Sequence, residues 1–130
     1  LPLKMAGKVD PVDREYYRDR VEPLIDGEQI QYLGEVTHEE KAQLLGGATV
    51  TLFPITWREP FGLVMIESMA TGTPVIGMDL GSVPEVIAHG KTGFVCHSLE
   101  HMVEVIPHAI KIDRQACRDY AIEHFSVQSM

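Results

Sequence analysis

Glu59 and Glu67 are the residues whose type and spacing most clearly offer chemistry. Glu59 is followed by Pro60, a good first residue for a helix, and Gly62 removes side-chain bulk from that helix's first turn. A helix start exposes free backbone N–H groups at the positive end of the helix dipole, so this segment can hold a phosphate. Glu67 then lies roughly 7 Å along the helix axis at 1.5 Å per residue. That is close to the span from a diphosphate to its ribose, and a carboxylate there can accept both ribose hydroxyls. A plainer reading stands beside this one. A glutamate near a helix N-terminus is a stabilising choice in its own right, and Glu67 with Ser68 can simply form the polar stripe of an otherwise apolar helix.

Short apolar runs alternate along the chain with longer amphipathic stretches. The pattern predicts strands near residues 2–6, 29–33, 49–54, 74–78 and 93–96. Between them, Asp10-Pro11 opens a helix running to about Ile25, and Thr37-x-x-Glu40 has the capping-box spacing of a helix to Leu45. The segment from Phe61 to Ala70 is apolar almost all round and predicts a buried helix. Pro84 to Ala88 fits one short helix, Ser98 caps a helix to about Ile112, and Asp113 caps another to about Phe125. This order implies an α/β fold, a Rossmann-like parallel sheet with helices on both faces. Ligands of such sheets bind outside the carboxyl ends of the strands. The turns after Leu33, Pro54 and Met78 are therefore where function is expected.

Composition narrows the class. The 130 residues carry a net charge of −8, which argues against a non-specific nucleic-acid binder. Cys96 and Cys117 show no CxxC pattern, so reduced thiols in a cytoplasmic protein are the expectation. His97 and His101 share a helix face at i, i+4 without an HExxH motif, and no metal site is expected. No apolar run reaches membrane-spanning length. The chain opens without Met directly in an apolar segment and stops just after a helical stretch, so both ends read as boundaries within a longer protein.

The stretch Glu59-Pro60-Phe61-Gly62-Leu63-Val64-Met65-Ile66-Glu67 resembles the two-glutamate motif of retaining GT-B glycosyltransferases of the group 1, family-four type. Its continuation from Ser68 to Ile76 is similar to the same family, as are Gly81-Ser82-Val83-Pro84-Glu85, Gly90-Lys91-Thr92-Gly93-Phe94 and Tyr32-Leu33-Gly34-Glu35-Val36. The likeness covers roughly residues 1 to 125 in order and spacing. It implies an incomplete C-terminal half of a GT-B fold, a single nucleotide-sugar-binding domain over 1–130. It also implies transfer of a sugar from a UDP-, GDP- or ADP-sugar to an acceptor with retention of configuration. By the same resemblance Glu59 is the catalytic-site carboxylate, bonding the donor sugar near its anomeric carbon. Phe61, Gly62 and Leu63 hold sugar and diphosphate, Gly81 and Ser82 close the pocket floor, Glu67 binds the ribose, and Val36, His38 and Lys41 line the base.

The resemblance also marks absences. The family's Arg and Lys pair, which clamps the diphosphate, precedes the strand that opens this chain; Lys8 follows that strand and does not match the pair. The N-terminal acceptor domain is not in these 130 residues, so the chain alone is expected to be inactive and to self-associate through surface left exposed. No cofactor is implied. Two other readings stay open: a non-catalytic nucleotide-binding or interaction module, and a sugar-nucleotide epimerase or phosphorylase of the same architecture. Sugar, base and acceptor are not encoded in any motif recognised above.

Overall fold

Alternating side chains of one short strand organise the larger part of the molecule. In the computed structural model, which describes residues 2–6, 11–53 and 63–125, Val75 and Ile76 are adjacent and both fully buried, on opposite faces of strand β4 (Val75–Met78). Val75 joins a cluster with Met65, Met69, Val83, Ile87 and Cys117. Ile76 joins another with Cys96, Met102, Val105 and Ala109. Helices therefore cover both faces. One side carries α3 (Leu63–Ala70), α4 (Val83–Val86) and α6 (Arg114–Phe125), and the other carries α5 (Leu99–Ala109). Burying Met65 and Met69 completely contributes about 1.5–3 kcal/mol each.

All five expected strands are present, the first four shorter than their apolar runs and the fifth at its expected length: β1 Leu3–Met5, β2 Ile30–Tyr32, β3 Thr51–Phe53, β4 and β5 Gly93–Cys96. Every pairing among the described residues is parallel. The ladders fall into two sets, β1 with β2 and β3–β4–β5 in that order. The chain divides into two compact units, residues 1–41 and 42–130.

In the first unit the expected helix after Pro11 is irregular. It is a 3₁₀ turn (Pro11–Asp13), a short α1 (Arg14–Tyr16), a π-helical turn (Tyr17–Val21) and a second 3₁₀ turn (Glu22–Leu24). Pro23 lacks the N–H that a regular helix would donate four residues back. No residue of the segment is buried, so no core face imposes α-helical geometry. Its expected cap, Asp10, lies outside the described residues. Asp26 shapes the entry to β2: its Oδ1 accepts the N–H groups of Glu28, Gln29 and Ile30 at 2.9, 2.8 and 3.0 Å. The predicted capping box is formed at the start of α2 (His38–Gly47). Thr37 N–H donates to Glu40 Oε1 at 3.1 Å, and Glu40 N–H donates to Thr37 Oγ1 at 3.0 Å.

In the second unit α3 departs from the expected all-round burial. Met65, Ser68 and Met69 face the core, but Leu63 is 61% and Val64 37% exposed. A helix lying on a sheet buries one stripe, whatever the composition of the rest. Buried Ser68 donates to the Thr73 carbonyl at 2.9 Å, and its hydroxyl lies 2.7 Å from Thr51 Oγ1. Thr73 donates to the Leu45 carbonyl at 2.6 Å. Ser98 caps α5 by accepting from His101 N–H at 3.0 Å, and Asp113 caps α6 by accepting from Gln115 and Ala116 N–H. α5 ends at Ala109, earlier than expected, two residues after Pro107, which removes one backbone donor inside it. No described helix is long and apolar enough to cross a membrane.

Candidate functional site at the strand carboxyl ends

The turn after β4 is built from three local constraints. Asp79 N–H donates to the Cys96 carbonyl at 2.8 Å, so the parallel pairing of β4 and β5 continues one residue past Met78. Gly81 then adopts a φ of +56°, in the left-handed region that favours glycine. Gly77 lets α4 settle on the strand: a Cβ there would stand 2.9 Å from Val83 Cγ1 and 3.2 Å from Ile87 Cδ1. The chain thus returns directly over the sheet, with Gly81 exposed at the rim and Ser82 at the start of α4.

Ser82 is the one residue of this turn whose chemistry is left open. It is only 6% exposed, yet its Oγ has no hydrogen-bond partner among the described residues. Leaving a buried hydroxyl unsatisfied costs about 1–3 kcal/mol, so such groups call for an explanation. A ligand oxygen approaching the turn would supply the missing partner. Glu85 is exposed, and its N–H donates to the Ser82 carbonyl at 3.0 Å.

Leu63 and Glu67 stand four residues apart on α3 and so share a face. Leu63 is exposed and Glu67 half-buried, on the side away from core residues Met65 and Met69. In the first unit Val36 is half-buried, His38 is exposed as the first residue of α2, and Lys41 is half-buried one turn further on. The Glu40 carboxylate is committed to the Thr37 N–H. That bond, first, and the Thr37 hydroxyl hold its carboxyl below the usual range. Glu59, Phe61 and Gly62 lie outside the described residues.

One contact of this edge was not anticipated: Asp79 Oδ2 lies 3.5 Å from His97 Nδ1. The His97 and His101 rings do meet, stacked with centroids 6.3 Å apart, but His97 precedes the Ser98 cap of α5, so the two do not share a helix face as expected. The available signal was positional, since Asp79 and His97 each follow the last residue of a strand and neighbouring parallel strands bring such positions together. His89 is exposed, its Nδ1 accepts the Val95 N–H at 3.0 Å, and its ring meets Phe94 edge-on. Among the described residues no three His, Cys, Asp or Glu side chains are grouped to hold a metal ion. Cys96 and Cys117 are free and buried, and burial raises the Cys117 thiol to about 11, against the opposing charge of Arg114. That thiol stays protonated near neutrality and is a core group.

Comparison with known proteins agrees with this arrangement. The glycosyl transferases group 1 family profile matches residues 1–124. N-acetyl-alpha-D-glucosaminyl L-malate synthase of Bacillus anthracis is 41% identical over 69 residues, 53% of this chain and 17% of that protein. Phosphatidyl-myo-inositol mannosyltransferase of Mycobacterium leprae is 37% identical over 81 residues, 62% of this chain and 21% of that protein. Among solved structures, HepE of Anabaena in complex with UDP-glucose superimposes with a TM-score of 0.79 at 20% identity, over 98% of this chain and 38% of its own. The chain spans less than a third of the length of the first curated relatives it matches. The chain belongs to the glycosyl transferases group 1 family and has the fold of the C-terminal domain of its GT-B architecture.

Proposed function

We propose that residues 1–130 form the nucleotide-sugar-binding domain of a two-domain glycosyltransferase that moves a sugar from a nucleotide diphosphate sugar to an acceptor with retention of configuration. The observation that carries this reading is the family match over residues 1–124, which includes the whole segment from Glu59 to Glu67. The Ser82 hydroxyl, buried at a strand carboxyl end without a partner among the described residues, supports it, as does the likeness in fold to a protein solved with UDP-glucose. In this reading the bond from the anomeric carbon to the diphosphate oxygen breaks, and an acceptor oxygen replaces it on the same face. Glu59 orients the sugar. The N–H groups of Phe61, Gly62 and Leu63, with Gly81 and Ser82, stabilise the charge that collects on the leaving diphosphate, an electrostatic role. Glu67 holds the ribose, and Val36, His38 and Lys41 meet the base. Buried free thiols support a reducing compartment such as the cytoplasm.

Kinetics of the full-length enzyme test these roles. Glu59→Ala should lower kcat, because it removes a contact to the group whose charge changes in the transition state. Glu67→Ala should raise the donor KM with little change in kcat, since ribose contacts are nearly equal in both states. A fully active Glu67→Ala enzyme with a much lower melting temperature would make that residue structural.

A further inference from the structure

A cavity of 370 Å³ opens in the second unit between the turn before β5, the end of α5 and the start of α6. It lies at the amino end of the sheet: Lys91 in its wall precedes the first residue of β5, whereas Gly81 and Ser82 follow the last residue of parallel β4. It is therefore separate from the carboxyl edge described above. Its size falls within the range of small-molecule sites.

The wall is unusual for so acidic a protein. With a net charge of −8 overall, the cavity is lined by Lys91, Lys111 and His108 against a single carboxylate, Asp113. That carboxylate accepts the N–H groups of Gln115 and Ala116 at 2.9 and 3.2 Å, so its charge is engaged at the start of α6. Neither lysine is in an ion pair among the described residues. Lys91 Nζ sits 5.4 Å over the Tyr120 ring, a contact that steadies the side chain without neutralising it. Phe94, Ile112 and Ala116 complete the lining with apolar surface.

We propose that this cavity is a ligand site for a phosphate monoester bearing a compact apolar group. The phosphate dianion sits between the two ammonium groups with His108 donating an N–H, and the apolar group lies on Phe94 and Ile112. Positive charge outside any ion pair among the described residues favours a dianion, and an apolar wall beside it favours an ester over the free ion.

Titration of the 130-residue chain with phenyl phosphate, followed through backbone amide resonances, tests this. Saturable shifts are expected at Lys91, Phe94, Lys111 and Ile112, with a Kd of roughly 1 mM or tighter, and weaker binding of inorganic phosphate and of phenol. Both lysines are exposed, so the Lys91→Met, Lys111→Met double variant should fold and bind at least about tenfold more weakly. Co-sedimentation with phosphatidylcholine vesicles containing phosphatidic acid separates the sources. Lysine-dependent sedimentation assigns the site to a lipid headgroup, and phenyl phosphate binding without sedimentation assigns it to a free ester. The proposal is overturned by no saturation up to roughly 10 mM, by shifts centred on Gly81 and Ser82 instead, or by equal binding to the double variant. The parent titration decides the matter even where the variant folds poorly.

Discussion

Arg114 is predicted to be the side chain whose loss most weakens the second unit at its surface. Its guanidinium donates to the Ala48 carbonyl at 2.9 Å, the Gly46 carbonyl at 3.1 Å and Thr73 Oγ1 at 2.9 Å. Two of those acceptors lie at or just past the C-terminal end of α2, where a positive charge is also favoured by the helix dipole. Hydrogen bonds to charged groups contribute about 1.5–3 kcal/mol each. Arg114 is exposed, however, and water replaces part of what is lost, so the expected cost of Arg114→Met is about 2–3 kcal/mol in total. For a chain of this length that corresponds to roughly 6–15 °C in Tm. Arg114→Lys keeps the charge but not the planar fork, and should recover less than half of the loss. Thr73→Val removes a fully buried hydroxyl that both accepts from Arg114 and donates to Leu45, and should cost about 1–3 kcal/mol by itself. Urea unfolding of both single variants and the double variant gives the coupling, expected at about 0.5–1.5 kcal/mol. An Arg114→Met protein within about 0.5 kcal/mol of the parent, or full recovery by lysine, would refute this account.

Ser82→Ala should leave stability unchanged or raise it by up to about 1 kcal/mol, because the hydroxyl lost has no partner among the described residues; in the full-length enzyme it should weaken donor binding, and a clear drop in melting temperature would show a hidden partner instead. Asp26 and Glu40 have carboxyls held below their ordinary range, Asp26 chiefly by the Ile30 N–H and Glu40 by the Thr37 N–H. A depressed folded-state value stabilises the protein above the unfolded pKa of about 4, and that stabilisation is lost as pH falls through the folded value. Asp26→Asn and Glu40→Gln should therefore flatten the acid limb of a pH-stability curve, and an unchanged limb would count against both bonds. Gly77→Ala should destabilise by about 1–3 kcal/mol through overpacking against Val83 and Ile87, measurable by thermal melts; a neutral result would mean that α4 shifts freely over β4.

Much of the fold is written locally. The Thr37–Glu40 box, the Ser98 and Asp113 caps and the apolar runs of β1 to β5 depend on residues within a few positions of one another. Spacing therefore determines them before any long-range contact forms. The same holds for the Gly81-Ser82 turn and for Glu67 on α3, placed on a helix by periodicity, with a ribose role that its spacing allows and the resemblance to a family favours over a plain polar stripe. Tertiary structure decided the rest. The Arg114 clasp joins residues 66 and 68 positions apart, which no pattern along the chain reveals. Which face of α3 is buried, and that Leu63 stays exposed, follows from where the sheet lies, since nearly every position of that helix is apolar enough to serve. The missing partner of Ser82 and the charge balance around Lys91 and Lys111 are likewise sums over several elements. Burial and hydrogen-bond satisfaction depend on everything packed against a group, and that emerges only when distant segments meet.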